Sequence, residues 1–429
     1  MKMKRYLPVL LAVMIFAAAC QGSSQETPLA DTVGTAVVDS EEAVVDNPQQ
    51  ESQEELAPGE PFTSAETPCK PFSLIGEKMV TPRADLPEVT AEDWSVGPAD
   101  APVTFMEYSE LQCPYCSQLE PLLVAVQERY PDDVRIVFRH RPFPVSFHDK
   151  SILAAQAMEA AGKQDLFSEF KNFMFEQQGV WSGIAPKDFD AWLTEQVPAL
   201  GIDPDQFLED MYSDAIEKKI EAAAESANAL EINGTPTLFV NGYPWPEQER
   251  GVEIFSIYVQ LIKHADIEYA TCPPNVLEEG KDYRAVISTS QGDIEIDLLE
   301  DAAPVAVNSF VYLAREGWYE DNPFITTAEF ALSGDPSDTG YGGPGYAYLD
   351  ESDDAYTLDE TGMVASFSLG EGINGSTFFI NKEPLEGQLG RTVFGTVTSG
   401  MDVVNSLSPR DNIFSPAADT INSITISEQ

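Results

Sequence analysis

Positive charge is what this chain has least of. Against 72 Asp and Glu stand only 24 Lys and Arg, a formal net charge of -48 over 429 residues. A surface of that sign repels phosphate, which excludes nucleic acid as a partner and electrostatic adhesion to anionic lipid as a means of attachment. Histidine is scarce too: His140, His148 and His264 are scattered and read as surface or packing residues rather than ligands or bases. Cysteine is limited to five, and a closed zinc site needs four ligands, so no metal and no cofactor is assigned. The apolar run at residues 7–19 is too short to span a bilayer comfortably. Aromatic residues are almost missing from residues 21–68, where Glu, Asp, Ser, Gln, Pro and Ala dominate. Such a segment cannot bury enough apolar surface to offset its ordering, so residues 20–71 are expected to be a disordered acidic tether. No internal repeat stands out. The length and 43% hydrophobic content suit two or three cored domains.

What is there begins with a targeting signal. Lys2, Lys4 and Arg5 precede the apolar run, which ends in Ala17-Ala18-Ala19-Cys20, so residues 1–19 read as a signal peptide. The small residues before Cys20 resemble a bacterial lipoprotein signal, although Ala17 stands where leucine is more usual. That resemblance implies lipidation of Cys20 and anchoring to the cell membrane; ordinary secretion with cleavage near Ala19 is the alternative. Either way the protein is expected to work outside the cytoplasm, where disulfides persist.

The chemistry centres on Cys113-Pro114-Tyr115-Cys116. Residues 103–108 read as a strand, and residues 117–129 carry Leu119, Leu122, Leu123 and Val126 at helical spacing. Pro114 suits a first helical turn, which leaves Cys113 at the N-cap with its sulfur near unpaired N–H groups. That placement favours the thiolate, the species that attacks disulfides, and a cysteine three residues on can resolve the mixed disulfide. Cys113 is therefore expected to be an exposed nucleophile with a depressed pKa and Cys116 to be buried behind it. Half of a zinc site or an inert disulfide would use the same pair. Far downstream, Gly234-Thr235-Pro236-Thr237-Leu238-Phe239-Val240 puts a proline directly before a strand, where a cis bond can turn its backbone toward a neighbouring loop.

With these two motifs in this order, residues 94–264 resemble the DsbA-like branch of the thioredoxin fold. The resemblance implies that Cys113 is the nucleophile, Cys116 the resolving residue, and Thr235-Pro236 a cis-proline loop holding the substrate backbone beside Tyr115. Residues 134–139 read as a second strand. Residues 150–230 are mostly helical, broken near Gly162, at 179–183, at 198–201 and at Pro204, as a helical insertion into the thioredoxin-like frame. Phe167, Phe170, Phe173 and Phe175 read as core. The domain spans residues 72–266, ending in a helix at 252–264, with a linker at 267–282.

From residue 283 the texture changes to a hairpin (283–289 and 292–298), an amphipathic helix at 304–315, and short strands between glycine-rich turns. This predicts an all-β closed barrel with helical caps over residues 283–429. Gly334-Asp335-Pro336, Asn374-Gly375-Ser376-Thr377-Phe378-Phe379-Ile380 and Val393-Phe394-Gly395, among six matching stretches, resemble cyclophilin-type peptidyl-prolyl isomerases. The resemblance implies an apolar floor at Phe330, Phe379 and Leu385. It also shows what is missing, because the segment from Phe324 to Phe330 lacks the family's histidine and arginine and is one residue short. Thr326 is aligned with the catalytic arginine, Ser333 and Thr377 stand at two usual glutamines, and Arg391 comes near the usual histidine after an insertion following Gly387. An apolar floor alone binds proline without favouring the twisted amide, so binding with feeble isomerisation is expected.

Cys69 and Cys272 remain, one just outside each end of the thioredoxin-like region, and are expected to pair and clasp that domain's start to its exit linker. The whole reads as an extracytoplasmic, lipid-anchored thiol-disulfide oxidoreductase with a prolyl-binding domain, a folding factor for exported proteins. Its implied partners are client proteins with cysteines or prolines and a membrane quinone-linked thiol oxidase. An isomerase whose thioredoxin-like part only grips clients, and a non-enzymatic binding module, are the rival readings.

Overall fold

The computed structural model describes residues 69–79, 81–351, 355–368, 372–385, 391–411 and 413–429. The signal segment, Cys20, the tether up to residue 68 and Gly387 lie outside them. Two compact units form: an α/β unit of Phe72–Glu268 with Ser337–Gly342, and a β-rich unit of Tyr269–Pro336 and Gly343–Gln429 with residues 69–71.

The first described strand, β1 (Lys70–Pro71), belongs to the β-rich unit, and the short helix α1 (Leu74–Lys78) follows in the α/β unit. There a five-stranded sheet has the order β2-β4-β3-β5-β6, built from β2 (Trp94–Val96), β3 (Val103–Ser109), β4 (Val134–His140), β5 (Thr237–Val240) and β6 (Tyr243–Trp245). β3 and β4 run parallel, which requires a crossover, and helix α2 (Pro114–Arg129) supplies it. Alternation along β3 serves two faces. Val103 and Phe105 pack with Leu119 and Leu123 of α2, whereas Met106 and Tyr108 pack on the opposite side with Leu230 and Phe239. The same alternation sends Glu107 and Ser109 to the α2 side, where both are wholly buried.

Between β4 and β5 lie α3 (Ser151–Gly162), α4 (Phe167–Glu176), α5 (Gln178–Trp181), α6 (Phe189–Gln196), α7 (Pro204–Met211) and α8 (Asp214–Ala229). Their starts are locally encoded. The Asp203 side chain accepts from the N–H groups of Asp205 and Gln206, and Ser213 accepts from that of Ile216. Phe167, Phe170 and Phe175 pack with Met158, Met174 and Trp181, while Phe173 is partly buried and stacks on Trp192. Both Cys113 and Cys116 belong to this helical core. Helix α9 (Val252–His264) returns across the face of α2.

The β-rich unit opens with the hairpin β7 (Tyr283–Thr289) and β8 (Gly292–Leu298), followed by helix α10 (Pro304–Arg315). Its other elements are β9 (Ile325–Thr326), β10 (Phe330–Ser333), β11 (Tyr346–Leu349), β12 (Met363–Ser366), β13 (Ile373–Asn374), β14 (Phe378–Asn381), β15 (Val393–Ser399), α11 (Met401–Ser406) and β16 (Ile421–Glu428). Eight strands form one curled sheet, β16-β7-β8-β15-β12-β14-β10-β9, and β1, β11 and β13 form a second. The expected barrel with helical caps takes the form of a curled half-barrel, and among the described residues no ladder joins its end strands. Isolated bridges, Pro323 to Thr420 and Thr326 to Arg410, cross the seam instead. β9 is only two residues long, too short to extend a ladder. Helix α10 fills the concave side, packing Val307, Phe310 and Val311 against Ile296, Phe378 and Phe394. Gly334 turns at φ +105°, where an added Cβ would sit 2.3 Å from the Ser376 carbonyl, so glycine alone fits.

Cys69 and Cys272 are joined by a disulfide, with Cα atoms 6.1 Å apart and a sequence separation of 203. Directly after Cys69, β1 pairs with β11 (Lys70 opposite Ala347, Pro71 opposite Tyr346). Both half-cystines therefore belong to the β-rich unit and not to the ends of the α/β unit, and the bond closes a loop of chain that contains residues 72–268. A two-residue strand ending in proline leaves no periodicity to read, which is why residues 69–71 were expected to belong to the tether.

Candidate functional site

Pro114 opens α2 and Cys113 is its N-cap, with extended backbone and no side-chain capping bond. The Cys113 Sγ lies 3.3 Å from the Thr235 carbonyl, to which the thiol donates, and the Thr235–Pro236 peptide is cis. Arg250 donates to the Pro236 carbonyl at 2.9 Å and so ties that loop to the chain leading into α9. From the helical insertion, the Gln178 side-chain amide donates to the carbonyls of Leu111 (2.7 Å) and Cys113 (2.9 Å).

Both cysteines carry free thiols and both are buried, Cys113 at 4% exposure and Cys116 at 0%. This corrects the expectation of an exposed nucleophile: the helical core packs onto both cysteines, and Pro114 and Tyr115, the latter at 66%, are the motif's exposed residues. Hydrogen bonding still favours the Cys113 thiolate. The Cys116 thiol, then the Thr235 side chain and the N–H groups of Cys116 and Tyr115, outweigh burial and bring Cys113 down to about 5. Burial, followed by the neighbouring Cys113, pushes the Cys116 thiol far up. The pair is split into a ready nucleophile and a thiol that must lose a proton before it can resolve.

A buried polar group lies beneath this pair. Neither Glu107 oxygen has a hydrogen-bond partner among the described residues, and burial, then the Glu120 carboxylate, holds Glu107 protonated well above the usual carboxylate range. Glu120 is ion-paired to Lys171, and both are buried. Ser109, on the same face of β3, draws both Glu107 and Cys116 downward toward their charged forms, against the burial that raises them. On the other side Glu110, 1% exposed, meets His148 Nδ1 at 2.5 Å and accepts the Gln112 N–H at 2.9 Å. His148 is thus a partner of the Cys loop and not a free surface residue, and His140 is buried against Glu159 at 2.9 Å. Glu107, Glu110 and Lys171 were not singled out from sequence. The available signal was charge at an apolar-parity strand position (Glu107) and inside a phenylalanine-rich helix (Lys171).

In the β-rich unit, Phe330 and Phe379 pack together (ring centroids 5.9 Å apart) on the face that carries Leu332, Ala365, Val393 and, at its edge, Leu385 and Phe367. Thr326 is not on that face. In the ladder it lies opposite Ala331, which packs in the concave core, whereas Ile325 lies opposite Leu332 and joins the Phe330–Phe379 cluster. The cause is parity: losing one residue between Phe324 and Phe330 turns each side chain of β9 to the other face. Thr326 is 1% exposed, and its hydroxyl has no partner among the described residues. Ser333 donates to the Pro323 carbonyl at 3.0 Å, and Thr377 is buried. Arg391 lies with its guanidinium 6.0 Å above the Phe367 ring.

Among the described residues no group of three or more His, Cys, Asp or Glu could hold a metal, and no helix is long and apolar enough to cross a membrane.

Residues 90–254 match the family described as "Thioredoxin", and residues 284–426 the family described as "Cyclophilin type peptidyl-prolyl cis-trans isomerase/CLD". A protein of Mycolicibacterium gilvum named Na(+)/H(+) antiporter NhaA 1 is 34% identical over 157 residues, which is 35% of this chain and 24% of that protein. The chain thus spans about a quarter of the length of that curated relative. Among solved structures, alpha-DsbA1 of Wolbachia pipientis is 22% identical, covering 42% of this chain and 95% of that one with a TM-score of 0.36. A cyclophilin type peptidyl-prolyl cis-trans isomerase of Cryptosporidium parvum is 23% identical, covering 34% of this chain and 99% of that one with a TM-score of 0.32. The chain carries a thioredoxin-like domain and a cyclophilin-like half-barrel domain.

Proposed function

We propose that this protein is a thiol-disulfide oxidoreductase acting on exported proteins outside the cytoplasm, tethered to the cell membrane by lipid at Cys20, with the cyclophilin-like domain holding proline-containing segments of the same clients. The observation that carries the redox assignment is the split pair: Cys113, lowered to about 5 beside the Thr235–Pro236 loop, against a buried, protonated Cys116.

In the exchange, the Cys113 thiolate attacks one sulfur of a client disulfide, forming a mixed disulfide and expelling the other client sulfur as a thiolate. Cys116 then loses its proton and attacks Cys113, which closes the Cys113–Cys116 disulfide and releases the second client thiolate. Two electrons pass from the pair to the client, and the same steps run backwards when client thiols meet the oxidised pair. Tyr115 and the backbone of Thr235 lie where a client chain must approach. The stable Cys69–Cys272 disulfide supports an oxidising compartment. In the reverse direction, where the oxidised pair takes two electrons from client thiols and is left reduced, a membrane quinone-linked thiol oxidase is the partner proposed to re-form the Cys113–Cys116 disulfide.

The test is trapping. A Cys116→Ala chain mixed with a disulfide-bonded client should accumulate a mixed disulfide at Cys113, stable without reductant, and Cys113→Ala should accumulate none. Rapid release of client from Cys116→Ala, with no adduct, would defeat the assignment.

A further inference from the structure

Glu110 stands three residues before Cys113, and it is buried at 1% exposure. One of its carboxylate oxygens meets His148 Nδ1 at 2.5 Å, the other accepts the Gln112 N–H at 2.9 Å, and its backbone carbonyl accepts the Cys113 N–H at 3.3 Å. A second tie runs alongside, in which the Gln112 side chain donates to Asp149 Oδ1 (2.8 Å) and accepts the Lys150 N–H (2.9 Å). Residues 148–150 are thus laced to residues 110–113. The Glu110 carboxyl also responds to the nucleophile: burial raises it, the Gln112 N–H and the His148 charge oppose that rise, and the charge on Cys113 adds to it.

The His148 ring is only partly covered. Its centroid lies 4.6 Å from that of Phe147 and 6.1 Å from that of Phe143, yet 21% of the side chain stays exposed. Nε2 makes no hydrogen bond with a described residue, and it is not sealed from water. The other charged groups packed around the pair are engaged elsewhere. Arg141 donates to the carbonyls of Ile232 (2.6 Å) and Pro142 (3.0 Å), and Lys150 pairs with Asp149 at 2.6 Å. A buried carboxylate on Nδ1 fixes the orientation of the ring and favours the imidazolium that forms when Nε2 takes up a proton.

Resting on the reading of Cys113 and Cys116 as a thiol-disulfide pair, we propose that His148 Nε2, oriented by Glu110, accepts the proton of a client thiol as that thiol attacks Cys113, and returns a proton to the client sulfur that Cys113 expels. When the pair is oxidised, the client proton moves to Nε2, the client sulfur bonds to Cys113, and the Cys113–Cys116 bond breaks with its electron pair leaving on Cys116. When a client disulfide is attacked instead, its S–S bond breaks, the expelled client sulfur carries the electron pair away, and the imidazolium protonates it. Glu107 is wholly buried and cannot meet an incoming client. An ordinary thiol, with a pKa of about 8.5, is only about 3% ionised at pH 7. The thiolate is the attacking species, so a base at the site raises the rate by about thirtyfold at most, and by nothing once the pH alone has ionised the client.

The experiment uses the full chain, oxidised at Cys113–Cys116, and a short peptide with a single cysteine; loss of the Cys113–Cys116 disulfide is followed by acid quenching and mass measurement from pH 6 to pH 10. His148→Gln, which can still hydrogen-bond Glu110 but has no proton to exchange, should be about tenfold slower than the parent at pH 7, with the gap closed at pH 10. Alkylation of reduced Cys113 by iodoacetamide needs no proton transfer from the thiolate and should be unchanged at pH 7, and added imidazole should partly restore His148→Ala. A gap of the same size at both pH values, or alkylation slowed to match it, shows a purely structural role and overturns the assignment, as does a His148→Gln rate equal to the parent's. Should His148→Gln fail to fold, Glu110→Gln carries the test: slowing at pH 7 that disappears by pH 10 supports the pair, and no slowing overturns it. A parent that reacts with the peptide at no pH overturns the oxidoreductase reading and this role together.

Discussion

At the scale of single residues, Glu107 is a wholly buried acid on the α2 side of β3. Its carboxyl has no solvent, no hydrogen-bond partner among the described residues and a carboxylate neighbour in Glu120, so it stays protonated above the ordinary range. A folded-state pKa raised above the unfolded one means that stability is lost as pH climbs from the unfolded value, near 4.3, toward the folded one. Glu107→Gln removes that loss. It should be more stable than the parent at pH 7, with the gain vanishing near pH 4. The same variant cannot exchange a proton at that position, and release of a client from the Cys113 mixed disulfide should slow. Denaturant titration at two pH values checks the first outcome and quenched-flow release the second; stability that changes equally at both pH values would show that the carboxyl does not titrate as described. The two cysteines and Pro236 were legible because their chemistry depends on local spacing. Glu107 was not, since a strand position becomes a proton site only through what packs over it, here Glu120 and Lys171 from two helices far apart in sequence.

At the scale of elements, the helix α10 is capped from a distance. Both Glu351 carboxylate oxygens accept N–H groups at its start, Val305 at 3.0 Å and Ala306 at 2.8 Å. Burial outweighs these two bonds and raises Glu351 to about 7. Between roughly pH 4.3 and 7 the folded chain holds a proton there that the unfolded chain has released, so stability falls with rising pH across that window and is flat above it. In Glu351→Gln that contribution should vanish, changing the stability difference between variant and parent by about 1–3 kcal/mol across the window after allowing for partial exposure. A difference independent of pH would contradict the assignment. The sequence placed α2, α9, α10, the hairpin β7–β8 and the helical insertion almost to the residue, because period and caps are local. It aligned Thr326 with the arginine position of the pocket, and only the ladder, Ile325 against Leu332, shows which side chain of β9 joins the Phe330–Phe379 cluster. It missed β1 because two residues carry no pattern.

At the scale of the molecule, the charge of -48 sets a self-repulsion that salt relieves. The screening length falls from ~10 Å at 0.1 M to ~3 Å at 1 M salt, so the thermal midpoint should rise over that range. A flat midpoint would mean that the acidic residues are spaced widely enough not to interact. The disulfide between Cys69 and Cys272 has a mechanical consequence. A pull applied between the two ends of the chain travels to residue 69, crosses the sulfur–sulfur bond and continues from residue 272, so the thioredoxin-like domain hangs slack in a covalent bypass. In a single-molecule stretching experiment the oxidised protein should yield a contour shorter by about 203 residues than the reduced one, or ~70 nm at the reach of an extended chain. Cys113 would keep its folded surroundings while the cyclophilin-like domain took the tension.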